Sequence, residues 1–152
     1  MSLPASSRTR PRAPRGSPPR HLEFLVPLFG DDDGRPARPE HGIVAERLKY
    51  LDLLAFEPLA LDASNVEGIG IDEPLHLLLP DPLGYILHKV LIRQERLRRP
   101  EKARKDLAYI YDVILLSKPM WEEMPARLDR MRAGSETWSR WIDRALTSLA
   151  DL

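Results

Sequence analysis

The chain has 152 residues, enough for one domain with a real core or for a small domain with tails. Apolar residues make up 43% and charged residues 30%, which is ordinary for a globular protein in water. Its 23 basic and 23 acidic side chains cancel, so the overall charge makes no electrostatic case for nucleic acid or an anionic membrane. Nucleic acid is left undecided as a partner. The absence of cysteine excludes disulfides, thiolate metal sites and cysteine nucleophiles.

No apolar run approaches the roughly 20 residues that a membrane-spanning helix needs. No apolar signal-peptide segment is present either. We therefore expect a cytoplasmic protein that makes no use of a membrane.

The first 20 residues differ in composition from the rest of the chain. They hold five of the fifteen prolines, five arginines and no acidic residue. Such a segment buries too little apolar surface to offset its ordering entropy, so a disordered tail is expected. A basic nucleic-acid arm and a transit peptide are the alternatives, although the prolines argue against an amphipathic transit helix. We predict three parts: a tail at 1–20, a β-rich part at 21–79 and a helical domain at 80–152.

The β-rich part is predicted from alternating apolar residues and turn signals. A strand is expected at 21–28, ending at Pro27 or lying at a sheet edge, because proline cannot donate to a strand ladder. A turn-rich loop follows. Residues 43–56 have a helical period, although their start is equally compatible with a short strand. Further short strands are expected at 59–61, 66–71 and 75–79.

The second half has the period of helices. Asp81 suits the capping position of a helix and Pro82 its first turn. The buried stripe of this helix is predicted to consist of Leu83, Ile86, Leu87, Val90 and Leu91. A helix at 102–117 should turn Leu107, Ile110, Tyr111, Ile114 and Leu115 inward. A short helix at 121–132, a stop and cap at Gly134 and Ser135, and a final amphipathic helix complete the chain. The fold class is therefore α+β, a small partial mixed sheet followed by an α-helical bundle.

Three cations follow one another at helical spacing on the first of these helices. Lys89, Arg93 and Arg96 share a face, and such side chains can hold a triphosphate. A solvated face is the alternative, because acidic residues flank it. Lys105 and Asp106 open the next helix in this interpretation. Asp106 would then stabilise the helix dipole from the first turn, or pair with Lys89 across the hairpin.

The stretch Leu79-Pro-Asp-Pro-Leu-Gly-Tyr-Ile-Leu-His-Lys-Val-Leu, with Arg93, Arg96, Lys105-Asp106-Leu and Asp112, resembles the C-terminal helical region of nucleotidyltransferase-fold proteins. Abortive-infection-type nucleotidyltransferase toxins and related bacterial proteins share this pattern. The front strand, Leu22-Glu-Phe-Leu-Val-Pro-Leu, is similar to a family strand that carries the third metal-site carboxylate. The resemblance covers about residues 22–116.

The resemblance implies roles for six residues. Lys89 would contact nucleotide phosphates or orient the site, with Asp106 as its acidic partner, and these two are the candidate catalytic residues. Arg93, Arg96 and Lys105 would join Lys89 in binding the nucleotide. Glu23 would stand at the place of the third metal carboxylate. The implied cofactors are Mg²⁺ and a nucleoside triphosphate if the chain is active, and an antitoxin-like protein partner is also implied.

The family's defining Gly-Ser turn, followed by a strand with Asp-x-Asp, has no counterpart in the right order. Gly16-Ser17 is followed by prolines, Asp31-x-Asp33 comes after Glu23 instead of before it, and Gly134-Ser135 has no Asp-x-Asp beyond it. We therefore expect a truncated or degenerate nucleotidyltransferase-fold protein that is catalytically incompetent alone. One alternative is an active enzyme whose catalytic hairpin lies upstream or in another chain. The other is a small helical interaction module that uses Trp138 and Trp141.

Overall fold

The computed structural model describes residues 24–28, 30, 35–40, 42–68 and 73–151. Within these ranges four short strands precede four helices. They are β1 Phe24–Pro27, β2 Ala45–Leu48, β3 Leu59–Asp62, β4 His76–Leu79, α1 Pro82–Glu95, α2 Pro100–Leu116, α3 Met124–Gly134 and α4 Glu136–Ala150. The expected α+β class, small sheets followed by a helical bundle, is confirmed.

The strands form two separate pairs. β1 and β2 run parallel, with Phe24 opposite Ala45 and Pro27 opposite Leu48, and β1 ends at its proline as predicted. β3 and β4 run antiparallel, with Leu59 opposite Leu79. Of the strand predicted at 21–28, residues 21–23 lie outside the described ranges. The strand predicted at 66–71 is wrong at 66–68, which form a bend and a turn, and its remaining residues are not described.

The continuous helix predicted at 43–56 is wrong, and the alternative of a short strand near its start is the one that forms. Residues 45–48 form β2, and residues Leu51–Ala55 form a short 3₁₀ helix. Between them Tyr50 has a left-handed backbone conformation with φ of 61°, which interrupts any continuous right-handed helix and costs about 1–2 kcal/mol. Its hydroxyl group compensates, because it donates to Glu95 Oε1 at 2.9 Å and accepts from Arg144 Nη1 at 3.1 Å. Tertiary anchoring of Tyr50 therefore overrides the local helical period.

The helix ends follow the sequence signals. Asp81 Oδ1 accepts a hydrogen bond from the Leu83 backbone amide at 2.9 Å, and Pro82 occupies the first turn of α1. The other oxygen of this buried carboxylate pairs with Arg127 on α3, so the cap also joins two helices. α3 ends at Gly134, and Ser135 Oγ caps α4 by accepting from the Thr137 amide at 3.2 Å.

The hydrophobic core surrounds α1, which packs against α2, α4 and the 3₁₀ helix. Its fully buried large apolar side chains are Leu53, Leu87, Leu91, Ile110, Met131 and Ile142. Gly84 lies against the 3₁₀ helix so closely that a Cβ atom there would be 2.3 Å from the Leu53 carbonyl oxygen. The front part of the chain therefore contributes Leu53 to the same core as the helices.

The inward face predicted for α2 is wrong in part. Ile110 is buried as expected, but Tyr111 is 62% exposed and Leu107 and Leu115 are also exposed. The buried face of α2 consists of Ala103, Asp106 and Ile110. Asp106 pairs on this face with Lys89 of α1 and with Arg96 just beyond its end. Val113 and the predicted Ile114 pack against the core in part, while much of the apolar stripe stays outside.

The interaction-module alternative depends on the two tryptophans of α4. Trp138 and Trp141 are half-buried against the core, in edge-to-face contact with Phe56 and Tyr50. Because both indole rings pack on the protein's own core, they do not form the exposed partner surface that this alternative requires.

Among the described helices, none combines the length and apolar character needed to cross a bilayer.

The close approach of α1 to the 3₁₀ helix generates a stability prediction. Gly84→Ala should raise the helix propensity of α1 by about 1 kcal/mol. We nevertheless expect a net loss of about 1–3 kcal/mol in the free energy of unfolding, because the new methyl group overlaps the Leu53 carbonyl. Urea denaturation measures this. Gly134→Ala is the matched control, since its Cβ would meet only the Trp138 ring at an ordinary 3.8 Å. Equal midpoints for the two variants would contradict the prediction.

Candidate functional site

A cavity of about 390 Å³ opens between the β1–β2 pair and the α1–α2 hairpin. Its size is within the range of small-molecule sites, about 300–1,000 Å³. Apolar residues from both strands form part of its wall, and the helices contribute aromatic and charged side chains. The charged and ring-bearing lining residues are Glu46, Tyr85, His88, Lys89, Arg96, Lys102, Lys105, Asp106 and Tyr109. We call this cavity the basic pocket.

Asp106 is the electrostatic centre of the basic pocket. Its carboxylate is 3% exposed and accepts from Lys89 Nζ at 3.0 Å and from Arg96 Nη1 at 3.1 Å, one to each oxygen. Arg96 Nη1 also lies 3.4 Å from the oxygen that binds Lys89. A buried carboxylate requires such compensation, because leaving it unpaired is strongly unfavourable. One acid of α2 therefore holds two cations of α1.

The Lys89 ammonium group lies among aromatic rings as well. It is 5.6 Å from the ring centroid of Tyr85 and 5.3 Å from that of Tyr109. Lys105 approaches the Tyr109 ring at 5.5 Å. These distances are typical of cation–π contacts. Burial raises the pKa of Tyr85, and the neighbouring Tyr109 and Asp106 raise it further, so its hydroxyl stays protonated at neutral pH.

His88 is buried at the wall of the basic pocket, with 3% of its surface exposed. Neither ring nitrogen has a hydrogen-bond partner among the described residues. Burial lowers the pKa of His88 from 6.5 to about 4, and the nearby charges of Lys89 and Arg96 lower it as well. The ring is therefore neutral at physiological pH, and it offers a donor and an acceptor that this part of the protein leaves unused.

The structure brings together four of the six sequence-predicted residues. Lys89, Arg96, Lys105 and Asp106 all line the basic pocket. Arg93 does not line it, although it shares a helix with the first two. Glu23, the candidate metal ligand, lies outside the described ranges.

Asp106 is not in the first turn of its helix, as the sequence interpretation had it. α2 begins at Pro100, so Asp106 lies in the second turn, with its side chain buried. The helix-dipole explanation for this residue is therefore wrong. The alternative explanation, an ion pair with Lys89 across the hairpin, is confirmed.

The described residues of the basic pocket do not suit a divalent cation. Both oxygens of Asp106 already accept hydrogen bonds, one from Lys89 and one from Arg96. Glu46 is the other carboxylate that lines the pocket. A Mg²⁺ ion generally takes one or two free carboxylates plus phosphates and water. Across the described part of the chain, no group of three or more His, Asp or Glu residues could hold a metal. We therefore derive no metal-assisted step at this pocket.

Sequence reasoning missed several pocket residues, above all Lys102, Tyr109 and Tyr85. A signal for them was present in the spacing. Lys102, Lys105 and Tyr109 follow i, i+3, i+7 on α2, and Tyr85 precedes Lys89 by one helical turn. The apolar stripe of α2 predicts a different inward face, so periodicity alone does not place these residues in a pocket.

The Asp106 ion pairs generate the second prediction. Asp106→Ala leaves Lys89 without its anion, so we expect the free energy of unfolding to fall by about 3–5 kcal/mol. A double variant, Lys89→Met with Asp106→Leu, should recover much of this loss, because apolar replacement of a buried ion pair is often neutral. Glu57→Gln, which weakens the exposed pair with Arg130, is the control and should have a much smaller effect. Chemical denaturation distinguishes these outcomes. If Asp106→Ala loses no more free energy of unfolding than the control does, the buried ion pair is not a major source of stability and the prediction is wrong.

The third prediction concerns pH. The pKa of His88 is about 4 in the folded protein and about 6.5 when unfolded, so between these values the unfolded chain binds more protons. Stability from this group is full above pH 6.5 and is lost as the pH falls toward 4, by up to about 3 kcal/mol. His88→Leu should lose less stability than the wild type over that window. His76→Gln, at an exposed histidine, should follow the wild type. Urea midpoints measured across the window test this, and parallel curves for wild type and His88→Leu would refute it.

Comparison with known proteins gives one match. Residues 2–132 match the model of the family described as "Nucleotidyltransferase". No curated protein and no solved structure matches significantly. The matched range includes all of β1 to α2 and thus the whole of the basic pocket. Since it covers far more than half of the sequence, the chain belongs to the nucleotidyltransferase family.

Proposed function

We propose that the chain binds a nucleoside triphosphate in the basic pocket and does not transfer nucleotides by itself. The observation that carries the proposal is the composition of this 390 Å³ pocket. It places four cationic side chains and two tyrosine rings around one opening in a chain whose net charge is zero.

The cations are not equivalent. Lys89 has 16% of its side chain exposed, and it is already engaged with Asp106 and two rings, so its task is to position the pocket wall. Lys102 and Lys105 are exposed, and neither has a carboxylate within ion-pair distance among the described residues. These two lysines, with the half-exposed guanidinium of Arg96, are suited to hold phosphate oxygens.

The tyrosines favour a nucleotide over a simple phosphate. Tyr109 is 38% exposed, which leaves part of its ring available to a base. Stacking on an aromatic ring contributes about 1–3 kcal/mol per base and tolerates every base.

Two arguments support the proposal that the chain does not transfer nucleotides by itself. The first is the sequence expectation that neither Gly-Ser pair belongs to a turn followed by a strand with Asp-x-Asp, the pair of carboxylates on which metal-assisted nucleotidyl transfer depends. The second is that, of the two carboxylates described in the pocket lining, Asp106 is committed to its ion pairs, which leaves Glu46 alone. In this proposal Lys89 and Asp106 are positioning residues of an inherited site.

The fourth prediction tests nucleotide binding. Titration calorimetry with ATP, GTP, CTP and UTP should show binding with and without Mg²⁺. Lys102→Ala with Lys105→Ala should weaken it on the order of tenfold or more, because each charge-assisted hydrogen bond contributes about 1.5–3 kcal/mol. The control is Lys118→Ala, at an exposed lysine beyond the far end of α2. Absence of binding, or equal weakening in the control, would overturn the proposal.

The same protein tests transfer. Incubation with radioactive nucleoside triphosphate, Mg²⁺ and cellular RNA or protein should leave no label on any acceptor. Labelling that disappears in Asp106→Ala, in a preparation shown to be folded by circular dichroism, would reject the inactive half of the proposal. Nucleotide binding without labelling would support both halves together.

A second candidate is an active enzyme completed by another segment or chain that supplies the catalytic hairpin. The observation that favours it is the state of β1, whose Phe24 and Leu25 are 47% and 40% exposed although parallel strands are normally covered on both faces. Co-expression with the protein encoded directly upstream tests this candidate. Labelling activity that appears only in the mixture would favour it.

A further inference from the structure

A second cavity of about 390 Å³ adjoins the basic pocket and shares Glu46, Leu48, Arg96 and Lys102 with it. It lies beside β2, where α1 ends and α2 begins. Its own cationic residues are Arg47, Lys49, Arg98 and Arg99. We call the two cavities together the cationic groove.

The cationic groove concentrates charge. Eight lysines and arginines line it against three carboxylates, a difference of five positive charges. The whole chain is neutral, so the remainder carries five negative charges in compensation. A concave region of one sign focuses the electrostatic field and attracts a polyanion.

Two of the three carboxylates, Asp106 and Glu95, are already bound by their neighbours. Asp106 is paired as described above, and Glu95 Oε1 accepts from Lys49 at 3.3 Å and from Tyr50 Oη at 2.9 Å. Arg98, Arg99 and Lys102 have no carboxylate within ion-pair distance among the described residues. Three exposed cations at or just before the start of α2 therefore face an open cavity, in which cations outnumber the carboxylates Glu46 and Glu95.

We propose that the cationic groove binds single-stranded nucleic acid, with one nucleotide in the basic pocket and the adjoining phosphodiester backbone along Arg98, Arg99 and Lys102. A single nucleoside triphosphate fills only the first cavity and leaves the second set of cations unused. Each cavity has the size of a site for one small ligand, so the groove accommodates successive nucleotides of one strand and not a duplex. A backbone-tracking groove beside an aromatic ring is the usual arrangement for binding a single strand without base readout. This inference rests on the proposed function only in placing a nucleotide in the basic pocket.

Fluorescence anisotropy with a short labelled single-stranded RNA tests the proposal. Arg98→Gln with Arg99→Gln should weaken RNA binding on the order of tenfold at about 0.1 M salt, because two phosphate contacts are lost. Each contact to a single strand contributes about 0.7 to the slope of log K against log salt. The slope of log K against log salt should fall in magnitude by about 1.4 for the two contacts. ATP affinity, measured by calorimetry, should stay close to that of the wild type, because neither arginine lines the basic pocket.

The control is Lys118→Gln with Arg140→Gln, two exposed cations that line neither cavity, and it should leave the RNA affinity and salt slope unchanged. No RNA binding by the wild type, or equal losses in both double variants, would overturn the inference. Displacement of RNA by poly-glutamate at equal charge concentration would also overturn it, in favour of an acidic protein. RNA binding that depends on Arg98 and Arg99, in a protein that does not bind ATP, would refute the proposed function alone.

Discussion

The structure depends on one buried carboxylate. Asp106 binds Lys89 and Arg96 across the α1–α2 hairpin, and an unpaired charge at its depth would cost several kcal/mol. This requirement sets the rotation of α2 about its own axis. It turns Lys102, Lys105 and Tyr109 toward the strands and leaves Tyr111 outside. The inward face of α2 therefore combines the Asp106 ion pairs with apolar packing by Ile110, Val113 and Ile114.

A second polar network fixes the other wall of the pocket. Glu95 at the end of α1 accepts from Lys49 and Tyr50, and Arg144 of α4 donates to the same tyrosine hydroxyl. The Tyr50 ring also meets Trp141 edge-to-face, with centroids 5.0 Å apart. These contacts hold Tyr50 in its left-handed conformation and anchor the segment between β2 and the 3₁₀ helix onto the bundle. The strands that face the pocket are thereby fixed relative to α1.

The site residues divide into those that build the pocket and those that can meet a ligand. Asp106 and Lys89 belong to the first group, since each is largely buried and already bound. Lys102 and Lys105 belong to the second group, because they are exposed at the opening. Lys89 and Asp106 thus have a structural task, since their ion pair joins α1 to α2. The cationic groove is strongly basic although the net charge of the whole chain is zero.

The sequence by itself determined the α+β class and the caps of α1 and α4 at Asp81 and Ser135, and it offered the ion pair between Lys89 and Asp106 as one of two alternatives. These features depend on local hydrogen bonding, helical spacing and the pattern of a short motif, all of which lie within a few turns of the chain. Only the tertiary structure decided that residues 45–48 are a strand, that Arg93 lies outside the pocket and that the inward face of α2 contains Asp106 in place of Tyr111. The strand, for example, is followed by Tyr50, which is anchored by Arg144 at a separation of 94 residues along the chain. Periodicity records which residues share a face, but the charges and hydrogen bonds of distant neighbours select the face that is buried.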